Sequence, residues 1–592
     1  MKSENCDVLV IGAGLAGLTL ARHLLLVSGK KIVMVERREM PNPRQKVGEA
    51  TVQMSGYYYS RVLQMEEHLL RHHYMKYNLR FIWAPEDPQS TGTDPSDYYD
   101  YSQSYIRKLS NIVTYQLDRN VFEEALLEEN QKDPDFTFYA PTRELDVQLS
   151  EDGGDHAFRF RDSNGDEVAG TSRWVVDASG RGKFLKRRLG LDRQSPVRHG
   201  TTFCWVDGLV DIEKLSPDSS KDQRIHPHRA DLGHTPAFLA TNHFCGEGFW
   251  FWTIPLHGKT SLGLVYDNRL VRREEVGSPA KMIDWVCKRF PLFARDLPQR
   301  EIVDQGGFVD FAFDAVQTLS ADRWALCGEA CRFADPLYSP GGDLISLYNT
   351  LIVDAICSDE ERLPGKVRLY EQVARSIYEA YLPSFAVSYE TLGDREVFTL
   401  RYVWELSIYF GFYVFPFIND LFTDPTFATG FLRRFSKLGP INRGLHQFLV
   451  DFYQWKKQNR EAGLADPVFF DFMEFGHLRA AEECFYKVGV TSEQARSVLD
   501  EQLENLEELA RAIVAHVTSV VTGDRRARSR DFVRTIPLDE LRFDPAGMAG
   551  QLAAVPETSP EHEWGLAVPC LARFRGTPAE EPAEVAVAAG RV

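Results

Sequence analysis

The 592-residue chain is 44% hydrophobic and 26% charged, the balance of a globular protein with room for two to four structural units at about 100–200 residues each. Its net charge of −17 lacks the basic footprint that nucleic acid requires but leaves a basic protein partner open. The nine cysteines are scattered without a CxxC pair, and Cys327 and Cys331 have no histidine pattern beside them, so neither a metal site nor a disulfide framework is expected.

The N-terminal MKSENCDVLVIGAG enters a strand directly, with no basic region, apolar run and cleavage site ahead of it; a cytoplasmic protein is expected. Residues 6–11 (CDVLVI) read as a buried strand, Leu15 to Val27 as a helix and Lys31 to Val35 as a second strand. This order makes a βαβ unit and hence a parallel sheet with a right-handed crossover. Between strand and helix, Gly12-Ala13-Gly14-Leu15-Ala16-Gly17 fits G-x-G-x-x-G. Gly12 permits the tight turn, Gly14 the approach of a pyrophosphate and Gly17 the close packing of helix on strand. The helix N-terminus then faces the phosphates, and Glu36, ending the second strand, is placed for a ribose hydroxyl.

Two polar stretches, 86–104 and 215–235, read as loops. Apolar strands running into small-residue turns return at Trp174 to Gly180 and at Arg323 to Glu329, as ligand-facing strand ends of such sheets do. Residues 200–320 between them are rich in strand and aromatic signals, and predict an inserted antiparallel sheet on the substrate side. The run from Tyr402 to Ile418 is dense in aromatics, but Glu405 interrupts it and Pro416 sits near its end. A buried helix or cavity wall fits it better than a span of about 20 apolar residues, and no membrane association is expected. Helical patterning continues to about residue 535, and the Ala-, Glu- and Pro-rich 575–592 tail reads as disordered.

Four further segments resemble the flavin-dependent halogenases, specifically the tryptophan-halogenase-like branch of the FAD-dependent aromatic monooxygenase superfamily. They are Lys46 to Thr51 (KVGEAT), Tyr115 to Arg119 (YQLDR), Trp250 to Pro255 (WFWTIP) and Gly328 to Gly342 (GEACRFADPLYSPGG). The implied fold class is α/β: a FAD-binding Rossmann-like domain of the aromatic-hydroxylase type (1–200 and 320–360), an antiparallel β-sheet substrate domain (200–320) and a helical C-terminal region (360–535). With one dinucleotide fingerprint only, the resemblance implies reduced FAD supplied by a separate NAD(P)H flavin reductase. Arg119, Asp335, Gly341 and Gly342 join Gly12, Gly14, Gly17 and Glu36 as its expected contacts.

The same resemblance implies that chloride or bromide is oxidised to hypohalous acid, which a lysine delivers to an electron-rich aromatic substrate, free or tethered to a carrier protein, in specialised metabolism such as antibiotic biosynthesis. Lys76, about 25 residues past the G-E-A-T segment and flanked by apolar residues, matches the position of that catalytic lysine, with Lys46 and Arg80 as alternatives. Trp250 and Trp252 are expected to wall the oxidation chamber from the substrate. Two positions depart from the pattern. Where tryptophan halogenases carry a glutamate before the serine, this chain has Tyr338, which argues against free tryptophan. After Ser339, where the family's halide meets backbone N–H groups, stands Pro340, which has none; Gly341 and Gly342 are left to form an anion nest. An aromatic monooxygenase without halide chemistry is therefore the alternative, and a flavin-binding scaffold without catalysis a third reading.

Overall fold

A computed structural model describes residues 2–86, 88–217, 235–459, 469–566 and 574. The expected βαβ unit opens it, with strand Cys6–Ile11, helix Leu15–Val27 and strand Ile32–Val35. These strands lie inside a nine-stranded sheet whose main run is ordered Leu319–Ser320, Trp324–Leu326, Glu167–Asp177, Cys6–Ile11, Ile32–Val35, Phe136–Tyr139. All pairs from Trp324–Leu326 onward are parallel. Both faces of this run are covered, which is why its strands are nearly continuous in Val, Ile and Leu.

The fingerprint glycines occupy three different environments. Gly12 has φ +108° and a Cβ there would stand 2.5 Å from the Ala178 carbonyl oxygen; a Cβ on Gly17 would stand 2.1 Å from the Gly12 carbonyl oxygen; a Cβ on Gly14 would meet nothing within 4 Å. Gly12 and Gly17 are thus required by the turn and its packing, whereas Gly14 keeps space outside the fold clear.

The second sheet has eight strands, ordered Ile302–Phe308, His199–Asp207, Lys259–Asp267, Phe249–Leu256, Thr241–Gly246, Leu79–Trp83, Ser102–Tyr105, Phe469–Asp471. It is largely antiparallel, but Leu79–Trp83 and Phe469–Asp471 each join a neighbour in parallel. Three of its strands come from outside the expected 200–320 block. The stretch 86–104 is also not simply a loop: it ends in a 3-10 turn, Tyr98–Asp100, and enters strand Ser102–Tyr105. The reason is aromatic burial among polar neighbours. Tyr98, Tyr99, Tyr101 and Tyr105 are buried, with Tyr101 packed on Phe244 and Phe290. The other expected loop, 215–235, falls mostly outside the described residues, and the 575–592 tail does so entirely.

The C-terminal region is helical as expected, built on Leu363–Ala386, Arg395–Ile408, Pro425–Gln458, Gly476–Cys484 and Ser492–Thr522. Capping sets their limits: Asp394 accepts from Val397 N–H, and Thr491 and Gln494 form a capping box, each satisfying N–H groups left over in a first turn. The aromatic run 402–418 completes the helix Arg395–Ile408, passes through a π-helical turn at Tyr409–Val414 and ends at Phe415–Ile418. A π turn widens the backbone and re-aims side chains, as such turns often do at functional sites. The rings of helix Arg395–Ile408 pack inward, Tyr402 and Phe398 against Phe81 of the second sheet. Among the described residues no helix is long and apolar enough to cross a membrane.

Candidate active site

Two cavities lie where the sheets and the helical region meet. The first, about 140 Å³, is lined by Val47 to Thr51, Leu15, Arg119, Arg181, Trp250, Trp252, Gly328, Glu329, Ser339, Gly341 and Gly342 among others. The second, about 220 Å³, is lined by Val52, Lys76, Tyr338, Asp343 and Glu405, with Tyr381, Tyr402, Tyr409, Phe410, Tyr413 and Phe472 supplying aromatic walls. Segments expected to bind flavin thus converge on the first, and the expected lysine faces the second.

Two segments border both cavities. One is Val47 to Gln53, in which Glu49 to Thr51 face the first cavity and Val52 and Gln53 the second. The other is the turn from Tyr338 to Asp343: Tyr338 and Asp343 line the second cavity, Ser339, Gly341 and Gly342 the first. Left-handed backbone at Tyr338 (φ +68°) and Ser339 (φ +60°) produces that reversal, at a conformational cost of about 1–3 kcal/mol per residue. Pro340 then opens helix Pro340–Ile356 at N1, where its missing N–H is no loss to the helix. The N–H groups of Gly341 and Gly342 fall in the first turn, which has no intrahelical partners to offer them.

Rings complete the partition. Trp250 packs on His243 at 4.9 Å, His243 stacks on Phe81 at 4.8 Å, and Phe81 meets Tyr338 edge-on at 5.9 Å. Burial holds His243 neutral, its pKa pushed down to about 3. The indoles of the tryptophan pair are pinned: Trp250 Nε1 donates to Tyr389 Oη at 2.6 Å and Trp252 Nε1 to Ser261 Oγ at 3.1 Å. Ser261 Oγ in turn donates to Glu49 at 2.5 Å, and Trp205 Nε1 donates to the other Glu49 oxygen at 2.6 Å. Burial raises the Glu49 carboxyl to about 7 against these bonds. Two segments 200 residues apart are therefore one hydrogen-bonded unit.

Lys76 ends the short strand Tyr74–Lys76. It is 6% exposed, its Nζ has no hydrogen-bond partner, and burial pulls its pKa down to about 7, opposed by the nearby Asp343 carboxylate. Asp343 accepts from Ser55 N–H at 2.8 Å; burial raises its pKa to about 6 despite that bond, Tyr409 and Lys76. A desolvated amine beside a carboxylate is poised for proton and charge work near neutral pH.

The alternatives to Lys76 are committed elsewhere. Lys46 Nζ lies 2.6 Å from Glu123. Arg80 donates to Tyr98 Oη and the Thr235 carbonyl and stacks over Tyr105, away from both cavities. Arg119 begins helix Arg119–Gln131, lines the first cavity, and is held by Glu123 and the Val47 carbonyl. Glu36 braces the fingerprint turn, accepting from Ala13 N–H at 3.0 Å. Six expected residues line neither cavity: Gly12, Gly14 and Gly17 of the fingerprint, Glu36, Asp335 and Pro340. The Asp335 carboxylate is turned to His199 Nδ1 at 2.5 Å and Leu337 N–H at 2.8 Å. In its place Glu329 of the same segment lines the first cavity, near Arg119 and Arg181. Arg181, Glu329, Asp343 and Glu405 carry site chemistry that the sequence did not single out; only Glu329, inside the GEA segment, had a visible signal.

The residues present fit FAD. The Gly14 position is clear, Glu36 ends the second strand beside the fingerprint turn, and the guanidiniums of Arg119 and Arg181 line the first cavity. Residues 5–243 match the family model for the FAD binding domain. A flavin-dependent halogenase of Dictyostelium discoideum is 25% identical over 457 residues, covering 72% of this chain and 73% of that protein. The 1H-pyrrole-2-carbonyl peptidyl-carrier-protein chlorinase of Pseudomonas fluorescens is 24% identical over 350 residues, covering 58% and 73%.

The chain carries a FAD binding domain and is similar to flavin-dependent halogenases.

It is a FAD-dependent oxidoreductase, and its fold agrees with that likeness. The solved structure of halogenase PltM in complex with phloroglucinol and FAD matches with a TM-score of 0.55 at 17% identity, covering 85% of this chain and 96% of that one. The expected α/β class, with a largely antiparallel second sheet and a helical C-terminal region, holds for this chain.

Proposed function

We propose that the protein uses reduced FAD, O2 and chloride or bromide to halogenate an electron-rich aromatic ring, and that Lys76 carries the oxidised halogen to the ring. The observation that carries this reading is the buried, unpartnered Lys76 ammonium in an aromatic-walled cavity that shares two boundary segments with the flavin cavity. Bound reduced FAD, delivered by a separate NAD(P)H flavin reductase, supplies with O2 the oxidising equivalent. The chain's own residues do the rest. Arg119 and Arg181, with the fingerprint turn, hold the cofactor's anionic part. The N–H groups of Gly341 and Gly342, at the positive end of a 17-residue helix, offer the halide a site one residue later than Pro340 would have allowed. The Trp250–His243–Phe81–Tyr338 partition keeps the aromatic substrate from the oxidation chamber, and Lys76 bridges it.

The test is bromine incorporation, read by mass spectrometry, into a set of electron-rich aromatics supplied with chemically reduced FAD, O2 and bromide. Wild-type protein gives a brominated product and Lys76→Ala loses it by at least about 100-fold, the scale of a positioned catalytic group. A hydroxylated product without bromine would replace this reading with the monooxygenase, which the missing N–H at Pro340 favours.

A further inference from the structure

We infer that the Tyr59 hydroxyl completes the halide site of the first cavity, donating its hydrogen to the ion beside the N–H groups of Gly341 and Gly342. This inference rests on the reading of that turn as the halide site, and supplies a side-chain donor where Pro340 removes a backbone one. Tyr59 stands in the π-helical turn Tyr58–Val62, a few residues beyond the KVGEAT segment. It is 1% exposed and lines the first cavity together with Gly341 and Gly342. Its hydroxyl nevertheless has no hydrogen-bond partner among the described residues. A buried hydroxyl left open in this way is costly unless a ligand completes it.

The hydroxyl lies directly against the turn. A Cβ placed on Gly342 would stand 3.2 Å from Ser55 Oγ and 3.3 Å from Tyr59 Oη. Ser55 Oγ is already committed, accepting from Val52 N–H at 3.1 Å and donating to the Val52 carbonyl at 3.2 Å. Of these two hydroxyls, only Tyr59 has a hydrogen to offer. Its ring is held in place against Phe122 at 5.3 Å and Tyr58 at 5.9 Å. Thr201 Oγ1 is also buried without a partner on this cavity, but it belongs to strand His199–Asp207 of the second sheet.

The surroundings favour an anion. Arg119, Arg181 and Arg332 line the cavity against the carboxyls of Glu49 and Glu329, both of which burial pushes above the usual carboxylate range. The other acids near Tyr59 are occupied, Glu123 by Arg119 and Lys46, and Asp343 by Ser55 N–H. Burial also raises the Tyr59 pKa, so the hydroxyl keeps its hydrogen and remains a donor. A carbonyl oxygen accepts best near its own plane, whereas a monatomic anion accepts from any direction and can take all three donors together.

The experiment reads halide affinity rather than turnover. The chlorine NMR line width is followed as bromide displaces chloride from protein loaded with oxidised FAD, for wild type, Tyr59→Phe and Thr201→Val. Because the Tyr59 hydroxyl has no partner in the fold, its removal leaves the thermal midpoint of the cofactor-free protein no lower. Tyr59→Phe binds bromide at least about 10-fold more weakly than wild type, the worth of a hydrogen bond to a charged acceptor, with FAD affinity unchanged. Thr201→Val keeps the wild-type halide affinity. A wild-type site that Tyr59→Phe leaves unmoved overturns this inference alone. So does a Tyr59→Phe loss that falls on FAD instead, which would give the hydroxyl to the flavin, or a halide loss in Thr201→Val only. Absence of any saturable halide site in wild type would overturn the halide turn itself, and this inference with it.

Discussion

At the scale of single residues, the site is governed by burial without compensation. Lys76 has an ordinary pKa near 10.5 and about 7 in the fold, so between those values the unfolded chain holds a proton that the folded chain has lost. Its contribution to stability therefore rises with pH through that window and is most unfavourable below about 7. Lys76→Met is expected to stabilise the protein by about 2–5 kcal/mol at pH 6 and by nothing measurable above pH 10.5, read by urea denaturation, while product formation is lost. In the proposed mechanism the ammonium is the working form, so product formation in wild type is expected to fall as pH rises through about 7. Asp343 raises the Lys76 pKa, so Asp343→Asn moves that falling limb to lower pH; an unmoved limb would separate the two groups. The sequence signalled Lys76 by position alone. The second-cavity carboxyls were illegible because Asp343 follows a glycine turn and Glu405 sits in an aromatic run, and neither context says which way a side chain points.

At the scale of elements, local pattern was most informative where both faces of an element are buried. Strand Cys6–Ile11 and helix Leu15–Val27 are bounded as their hydrophobic runs and glycines predict. The strands Leu79–Trp83, Ser102–Tyr105 and Phe469–Asp471 were not legible as members of the second sheet, because the two pairings that tie them into it, beyond the local antiparallel pair, are parallel and join segments far apart in the chain. Asp335 was read as a cofactor contact from its Asp-Pro setting, but His199, on a strand 136 residues away, claims its carboxylate. The fingerprint yields a paired prediction. Gly17→Ala places a Cβ 2.1 Å from backbone and destabilises the fold by about 2 kcal/mol or more. Gly14→Ala meets nothing, leaves the thermal midpoint of the cofactor-free protein unchanged, and weakens FAD binding about 10-fold or more by intruding on the pyrophosphate. Thermal melts without FAD and titrations with FAD separate the two effects.

At the scale of the whole molecule, the helical region does more than cover the sheets: it supplies Tyr381, Tyr402, Glu405, Tyr409 and Tyr413 to the second cavity, while the parallel sheet and its loops build the first. The two sheets and the helices thus define two chambers with a common wall. Trp250 is central to that wall through its bond to Tyr389, which in turn donates to Asp335 at 3.4 Å. Trp250→Ala opens it, and is expected to retain FAD while spilling oxidised halide, seen as greater bromination of a scavenger in bulk solvent and less of the bound aromatic. In the proposed halogenase, division of labour between the chambers also means that halide chemistry would proceed before any aromatic substrate binds. The most direct measurement is rapid mixing of the protein, loaded anaerobically with reduced FAD, with oxygenated buffer at increasing bromide and no aromatic present. The two-chamber halogenase predicts that bromide accelerates the return of oxidised-flavin absorbance in a saturable way; traces that superimpose with and without bromide would contradict a halide site at the Gly341–Gly342 turn.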